Sequence, residues 1–418
     1  MDNQQKLRRA KPFEGLKVVE LGGYVSATTT GRLLADMGAE VIKIERPEGD
    51  GWRYSGINAC GGGVFSHDEN PVFDLYNAGK KTIVLNYKLE TGKRILMEMI
   101  GQADIFLTNL RPAALKRNGL DYETLHAAFP KLIYALCLGY GDKGPDANAA
   151  AFDTTAFWTR TGFIGDMVYS DAGIPMNTPW SVGDSVTGII LFSEINAALY
   201  NRTRTGCGEL VKTSLYHAGI FTMASMQVMS QKPLKPFGSP ELPQPAWAGA
   251  PTGVFQCKNG EWLKVQLIDS AKLAPKFFEV LGHPEWNEDE RIGTAEARKK
   301  NKELLYQMVK DCIKEKDADE LERLGKENDL GLVRVRHFRD ISEDEQAWAN
   351  HYVHNVTFRN GVTRVVATSP IEMESVGELC MEPAHHIGED TESILRNMGY
   401  SDAQIKQLCE EGIVRKEQ

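Results

Sequence analysis

Residues Leu16–Glu45 read LKVVELGGYVSATTTGRLLADMGAEVIKIE. Leu16 to Gly22 is an apolar, β-branched run of strand length, and Thr28 to Met37 repeats its apolar residues at helical spacing. Gly38 closes that helix and Glu40 to Glu45 forms a second short strand, giving a βαβ unit with its two strands parallel. The alternation continues with strands at Thr82 to Tyr87, Asp104 to Thr108 and Leu132 to Leu138, and with helical patterns at Glu90 to Ile100 and Tyr122 to Ala128. The expected fold class is α/β: a Rossmann-like, mostly parallel sheet covered on both faces, which binds ligands at the carboxyl ends of its strands.

Candidate binding residues stand at those ends. The first strand runs into Gly22-Gly23-Tyr24-Val25-Ser26-Ala27, which is not the GxGxxG phosphate turn. Arg46 follows directly on Glu45, the acid that ends the second strand, so a nicotinamide dinucleotide is not favoured. Arg46, Lys80, Lys81, Arg111 and Arg117 collect at strand exits and helix starts in a chain whose net charge is −9. Each base alone reads first as part of a solvated face, and only their repetition at these places points to a phosphate site. The net charge argues against non-specific nucleic-acid binding.

Pro179 to Leu191, PWSVGDSVTGIIL, offers the candidate for chemistry. Asp184 precedes Ile189, Ile190, Leu191, Phe192, Ile195 and Leu199, which recur at helical spacing, so it is expected at a helix N-terminus. Unpaired backbone N–H groups there stabilise a carboxylate and can hold an oxyanion. Gly183 leaves room for a bulky group to approach. The alternative from this window alone is a simple helix cap. Upstream, Gly139 to Pro145 is a glycine-rich loop suited to a lid, and Phe152-Asp153 supplies a second candidate acid.

The length of 418 residues exceeds what one core usually supports, and two domains are expected. A large domain spans 1–229, a smaller α+β domain with a proline-rich linker spans 230–335, and 336–418 returns to the large domain. Gln231 to Pro251 holds six prolines. Lys258-Asn259-Gly260 between two short strands is a hairpin turn, and the text from Ala271 to about Glu327 is helical and charged. No window reads as a membrane span of about 20 apolar residues, and MDNQQKLRRAKPF has no apolar signal core, so a cytoplasmic location is expected. Seven scattered cysteines without a CxxC pair suggest neither disulfides nor a thiolate metal site. His385-His386 has no third ligand at metal spacing in the sequence, and no metal is expected there.

Seven segments, in one order, resemble the class III coenzyme A transferases, the family of formyl-CoA and carnitine CoA transferases. They are LKVVELG, Gly31 to Asp50, Asn77 to Lys93, Ala103 to Leu125, GYGDKGP (Gly139 to Pro145), VGDSVTG (Val182 to Gly188) and GCGELVKTSL (Gly206 to Leu215). Glu343 to Asn350 and Gly412 to Gln418 add a closer likeness to the phenyllactate and 2-hydroxyisocaproate transferases of anaerobic amino-acid fermentation. The resemblance implies an inserted small domain and an interlocked homodimer. It implies acyl-CoA and carboxylic acids as substrates, Asp184 as the catalytic nucleophile, and no cofactor beyond CoA itself.

The CoA site implied in this way is Tyr24, Val25, Ser26, Arg46, Leu85, Asn109, Leu110 and Arg117, with Lys80 and Lys81 as helpers near the phosphates. Two departures turn the expectation away from formyl or oxalyl substrates. Ala150 stands where formyl-CoA transferase has a CoA-contacting lysine, and QPAWAGAPTG (Gln244 to Gly253) stands where that enzyme has a tetraglycine loop. Trp180 and Trp247 suit a roomier apolar acyl pocket. The competing readings are a 2-methylacyl-CoA racemase, which would need a histidine partner for Asp153, and a non-catalytic acyl-CoA-binding protein.

Overall fold

In the computed structural model, which describes residues 11–59, 65–166, 177–231, 252–267 and 270–417, the opening stretch forms strand β1 (Lys17–Leu21), helix α1 (Ser26–Asp36) and strand β2 (Glu40–Glu45). Next come α2 (Gly51–Ala59), α3 (Pro71–Asn77), β3 (Lys81–Leu85), α4 (Glu90–Gly101) and β4 (Ile105–Thr108). They are followed by α5 (Pro112–Arg117), α6 (Tyr122–Ala128) and β5 (Ile133–Leu138). A π-helical turn at Asp153–Thr159 and α7 (Phe163–Asp166) lead to α8 (Val182–Thr205), β6 (Leu210–Ser214) and α9 (Leu215–Thr222).

The chain divides into two units, 1–230 with 345–418, and 231–344. The second unit contains β7 (Gly253–Gln256), β8 (Trp262–Gln266) and β9 (Gly331–Arg334) as an antiparallel sheet, with helices packed on it around Phe255, Leu263, Phe277 and Val309. The expected hairpin turn forms, with Gln256 opposite Trp262 and Gly260 at φ 82°. Residues 336–344 belong to this unit rather than to the large one, and Arg336 pairs there with Glu322 and Asp344. The chain then supplies β10 (Val353–Thr357), β11 (Thr363–Ala367) and β12 (Val414–Arg415) to the large unit.

The large sheet has the order β12-β3-β2-β1-β4-β5-β6, parallel throughout except for β12 against β3. Successive residues of each strand enter opposite cores, as the pleat requires. Val19, Phe106 and Tyr134 pack with Ile95 and Leu96 of α4 on one face, while Val18, Ile105 and Ile133 pack with Leu34 of α1 and Leu191 and Ile195 of α8 on the other. The strand order reverses between β1 and β4, which opens a crevice at their carboxyl ends.

Helix α8 is the exception to the expectation about apolar windows. It has 24 residues and is long and apolar enough to cross a membrane. It lies instead along α1 and β5, and Thr30 Oγ1 donates to Gly188 O at 2.9 Å. A Cβ at Gly188 would stand 2.6 Å from Ser26 O, so this glycine is what lets the two helices meet.

Beneath the crevice lies a buried ion cluster. Lys43 Nζ on β2 is 3.0 Å from Glu20 Oε1 on β1 and 2.9 Å from Asp50 Oδ2, while Lys80 Nζ is 2.8 Å from Glu20 Oε2. Burial alone would disfavour the Lys43 ammonium, but Asp50, Glu20 and Glu45 outweigh it and hold the group protonated. Lys80 is fully enclosed by Glu20, Thr28 O and Asn77 and so cannot reach a phosphate; Lys81 pairs with Glu40. Replacing Lys43 by methionine would leave buried carboxylates without their cation. We expect a loss of about 3–5 kcal/mol in urea-unfolding stability, whereas a change below about 1 kcal/mol would show the cluster to be incidental.

Candidate active site

The residue after the β1 exit, Tyr24, has φ 62°, unusual for a side chain of its size. Three contacts fix it. Tyr24 N donates to Asp50 Oδ1 at 3.1 Å, Gly23 N donates to Asn109 Oδ1 at 3.2 Å, and Asn109 Nδ2 donates to Gly23 O at 2.8 Å. The loops after β1, β2 and β4 are therefore locked together, and Lys43 below neutralises the Asp50 that holds Tyr24.

These loops rim a cavity of about 490 Å³. Of the expected residues, Tyr24, Ser26, Arg46, Asn109, Leu110 and Asp184 line it together, and Asp153, Phe152 and Trp180 form the wall beside Asp184. Val25 and Leu85 do not line it: both side chains are buried, Leu85 in the core under α4. Arg117 is exposed at the end of α5 and lies outside the lining, whereas Arg111 at the start of that helix is part of it. Trp247 and nearly all of the Gln244 to Gly253 segment lie outside the described residues.

Asp184 sits in the first turn of α8, as its sequence position implies, but it does not serve as the cap. The start of α8 is served by Asp153, whose Oδ1 accepts from Asp184 N at 3.0 Å and whose charge the Gly183 and Ser181 N–H groups also favour. Asp184 therefore lacks the stabilising backbone donors that the sequence suggests for it. Burial and the neighbouring Asp153 charge raise its pKa to about 7, against a lowering hydrogen bond from the Ser26 hydroxyl. Burial likewise raises Asp153, opposed by its donors. Tyr76 on α3 faces the same turn, where burial raises its hydroxyl and the Ser185 and Ser181 side chains act against that rise.

Gly139 contributes to the cavity wall, while the rest of its loop is tied down by Asp142 to Lys212 and by Asp146 to Arg160 at 2.8 Å. His126 stacks on Tyr122 in α6, and no histidine is among the described residues that line the cavity. Sequence spacing missed one feature elsewhere: the ligand atoms of His386, Glu389 and Glu417 lie within 4.8 Å of one another. Glu389 is held there by Arg359 at 2.6 Å and by His386 N at 2.7 Å, an ion-paired cluster at the chain terminus.

The model of CoA-transferase family III matches residues 13–391. The chain is 35% identical over 412 residues to the cinnamoyl-CoA:phenyllactate CoA-transferase of Clostridium sporogenes, covering 97% of this chain and 98% of that one. It is 35% identical over 407 residues to the (R)-2-hydroxy-4-methylpentanoate CoA-transferase of Clostridioides difficile, covering 96% and 99%. A solved CAIB/BAIF family protein from Brucella suis superimposes with a TM-score of 0.77 at 25% identity, covering 93% of this chain and all of that one. A carboxylate held near neutrality in a crevice at the switch point of a parallel sheet thus stands in a chain that belongs to CoA-transferase family III.

Proposed function

We propose that this CoA transferase moves CoA from a 2-enoyl-CoA or another medium-length acyl-CoA to a 2-hydroxycarboxylate, through an anhydride and then a thioester of Asp184. The observation that carries the reading is the Asp184 carboxylate itself. It faces the cavity, it is free of cap bonds, and its raised pKa makes it a stronger nucleophile than an ordinary carboxylate. Phe152, Trp180 and Leu215 give the cavity an apolar wall in keeping with a hydrocarbon acyl group, and Arg46 supplies a cation for the CoA phosphates. The names of the two clostridial relatives, both transferases of 2-hydroxy acids, support the same substrate class.

In this mechanism the Asp184 carboxylate attacks the thioester carbonyl, and CoA leaves as thiolate. The thiolate attacks the Asp184 carbonyl of the anhydride, forming aspartyl-CoA and releasing the donor acid. The acceptor carboxylate then attacks aspartyl-CoA, and the returning thiolate takes the new acyl group and frees Asp184. Every intermediate remains an activated acyl species, so the thioester free energy is retained provided water is kept out. The proposal assigns the covalent steps to Asp184 and calls on no cofactor beyond CoA as substrate. A second copy of the chain is the proposed partner, in keeping with the exposure of Tyr200, Phe221 and Val228 at 68%, 76% and 60%.

A panel of labelled 2-hydroxy acids against cinnamoyl-, isocaprenoyl-, succinyl- and formyl-CoA tests the substrate class. The highest kcat/KM is expected for an enoyl-CoA of about six or more carbons with its matching 2-hydroxy acid. Greater efficiency with formyl-CoA and oxalate would overturn that assignment. Exchange of the 2-proton without CoA transfer would favour a racemase. Because only ionised Asp184 attacks, kcat/KM should fall about tenfold per pH unit below about 7; a flat profile down to pH 5 would contradict this role. Arg46→Ala should weaken free-CoA binding by calorimetry about tenfold or more, with Arg46→Lys restoring only part.

A further inference from the structure

Asp153 reaches Asp184 from 31 residues upstream and is not exposed to solvent as an ordinary loop acid would be. Both oxygens of its carboxylate are bonded. Oδ1 accepts from Asp184 N at 3.0 Å, and Trp158 Nε1 donates to Oδ2 at 3.1 Å, while the Gly183 and Ser181 N–H groups act on the same carboxylate to favour its charge. The Ser181 side chain, at the position that normally caps a helix, makes no cap bond, and its backbone is left-handed at φ 66°. A Cβ at Gly183 would stand 2.5 Å from Asp153 Oδ1 and collide with the Phe157 ring, so the motif's glycine is what admits this carboxylate.

We propose that Asp153 is a positioning residue for the transfer reaction: it caps α8 in place of Asp184, holds the left-handed turn at Ser181, and sets its carboxylate beside the nucleophile. The inference rests on Asp184 being that nucleophile. A cap supplied from outside the helix leaves the Asp184 carboxylate free to point into the cavity. Acylation removes the Asp184 charge from beside Asp153, so their repulsion is relieved as the anhydride forms. The same geometry argues against Asp153 as a substitute nucleophile, because each of its oxygens already accepts a hydrogen bond.

The titratable groups facing Asp184 are Asp153, Tyr76 from α3 and Cys137 from β5. Burial raises Tyr76 and pushes Cys137 up to about 12, so both stay neutral across the working range. Glu194, on α8 itself, is also raised by burial and faces His217 of α9. Arg46 lies across the same cavity. Of these, Asp153 is the charge that acts on Asp184 most directly.

Three variants separate charge from geometry. Asp153→Asn keeps an acceptor for the helix N–H groups but loses one oxygen, so it is made with Trp158→Phe to avoid opposing two donors. Relative to Trp158→Phe alone, the acidic limb of kcat/KM should move to lower pH, because a charge that raises Asp184 has gone. Asp153→Glu retains charge in the wrong place and should lower kcat without that shift. Asp153→Ala should slow hydroxylamine capture of acylated Asp184 about 100-fold through misplacement, with free-CoA affinity retained. An unmoved limb in the double variant overturns the proposal, as does undiminished capture in Asp153→Ala; should Asp153→Ala not fold, the limb alone decides. Absence of any Asp184 hydroxamate in the wild-type enzyme would instead defeat the nucleophile reading on which the inference rests.

Discussion

The Lys43 ammonium is the interaction on which the crevice depends. It joins β1 to β2 through Glu20 and reaches up to Asp50, which in turn accepts the Tyr24 and Trp52 N–H groups. A lysine buried without acids would shed its proton, and the acids without the lysine would be driven neutral. Held together, they fix the β1 and β2 exits in one geometry, including the unfavourable φ of Tyr24. Stability and the shape of the cavity are thereby coupled, since the strained turn that lines it is held by Asp50, which the ion cluster beneath neutralises.

The second layer of control is at α8. One carboxylate, Asp153, takes the helix N-terminus, and another, Asp184, is left in the cavity with its charge disfavoured by burial and by its neighbour. Two acids of the same type thus acquire different environments: one bonded by backbone donors and the indole of Trp158, the other by the Ser26 hydroxyl alone among the groups that lower its pKa. Such a division is what covalent carboxylate catalysis needs, because the reacting oxygen must be basic and uncommitted.

Much of this was legible in the residues. The βαβ pattern from Leu16 to Glu45 read correctly because its strands, buried on both faces, are short continuous apolar runs, whereas the helix between them repeats its large apolar residues at helical spacing. Asp184 at a helix start was legible for the same reason. Its freedom from the cap was not, because Asp153 arrives through tertiary packing, and no local spacing records that contact. Lys80 looked like a surface base because its partner Glu20 is 60 residues away in sequence. Both Arg111 and Arg117 stood out as bases near a strand exit, and the resemblance favoured Arg117, whereas the cavity wall holds Arg111 at the other end of the same short helix.

The central claim of the proposed mechanism is that Asp184 carries the activated group between the two acids. The most direct measurement is peptide-mapped mass spectrometry of the enzyme incubated with acyl-CoA alone and quenched in acid. Covalent catalysis predicts a peptide containing Asp184 heavier by one CoA less one water, lost on adding the acceptor acid and absent in Asp184→Asn. A fully competent enzyme that carries no adduct at Asp184 under these conditions, or that retains more than about a tenth of wild-type kcat as Asp184→Asn with deamidation excluded by mass, would contradict it.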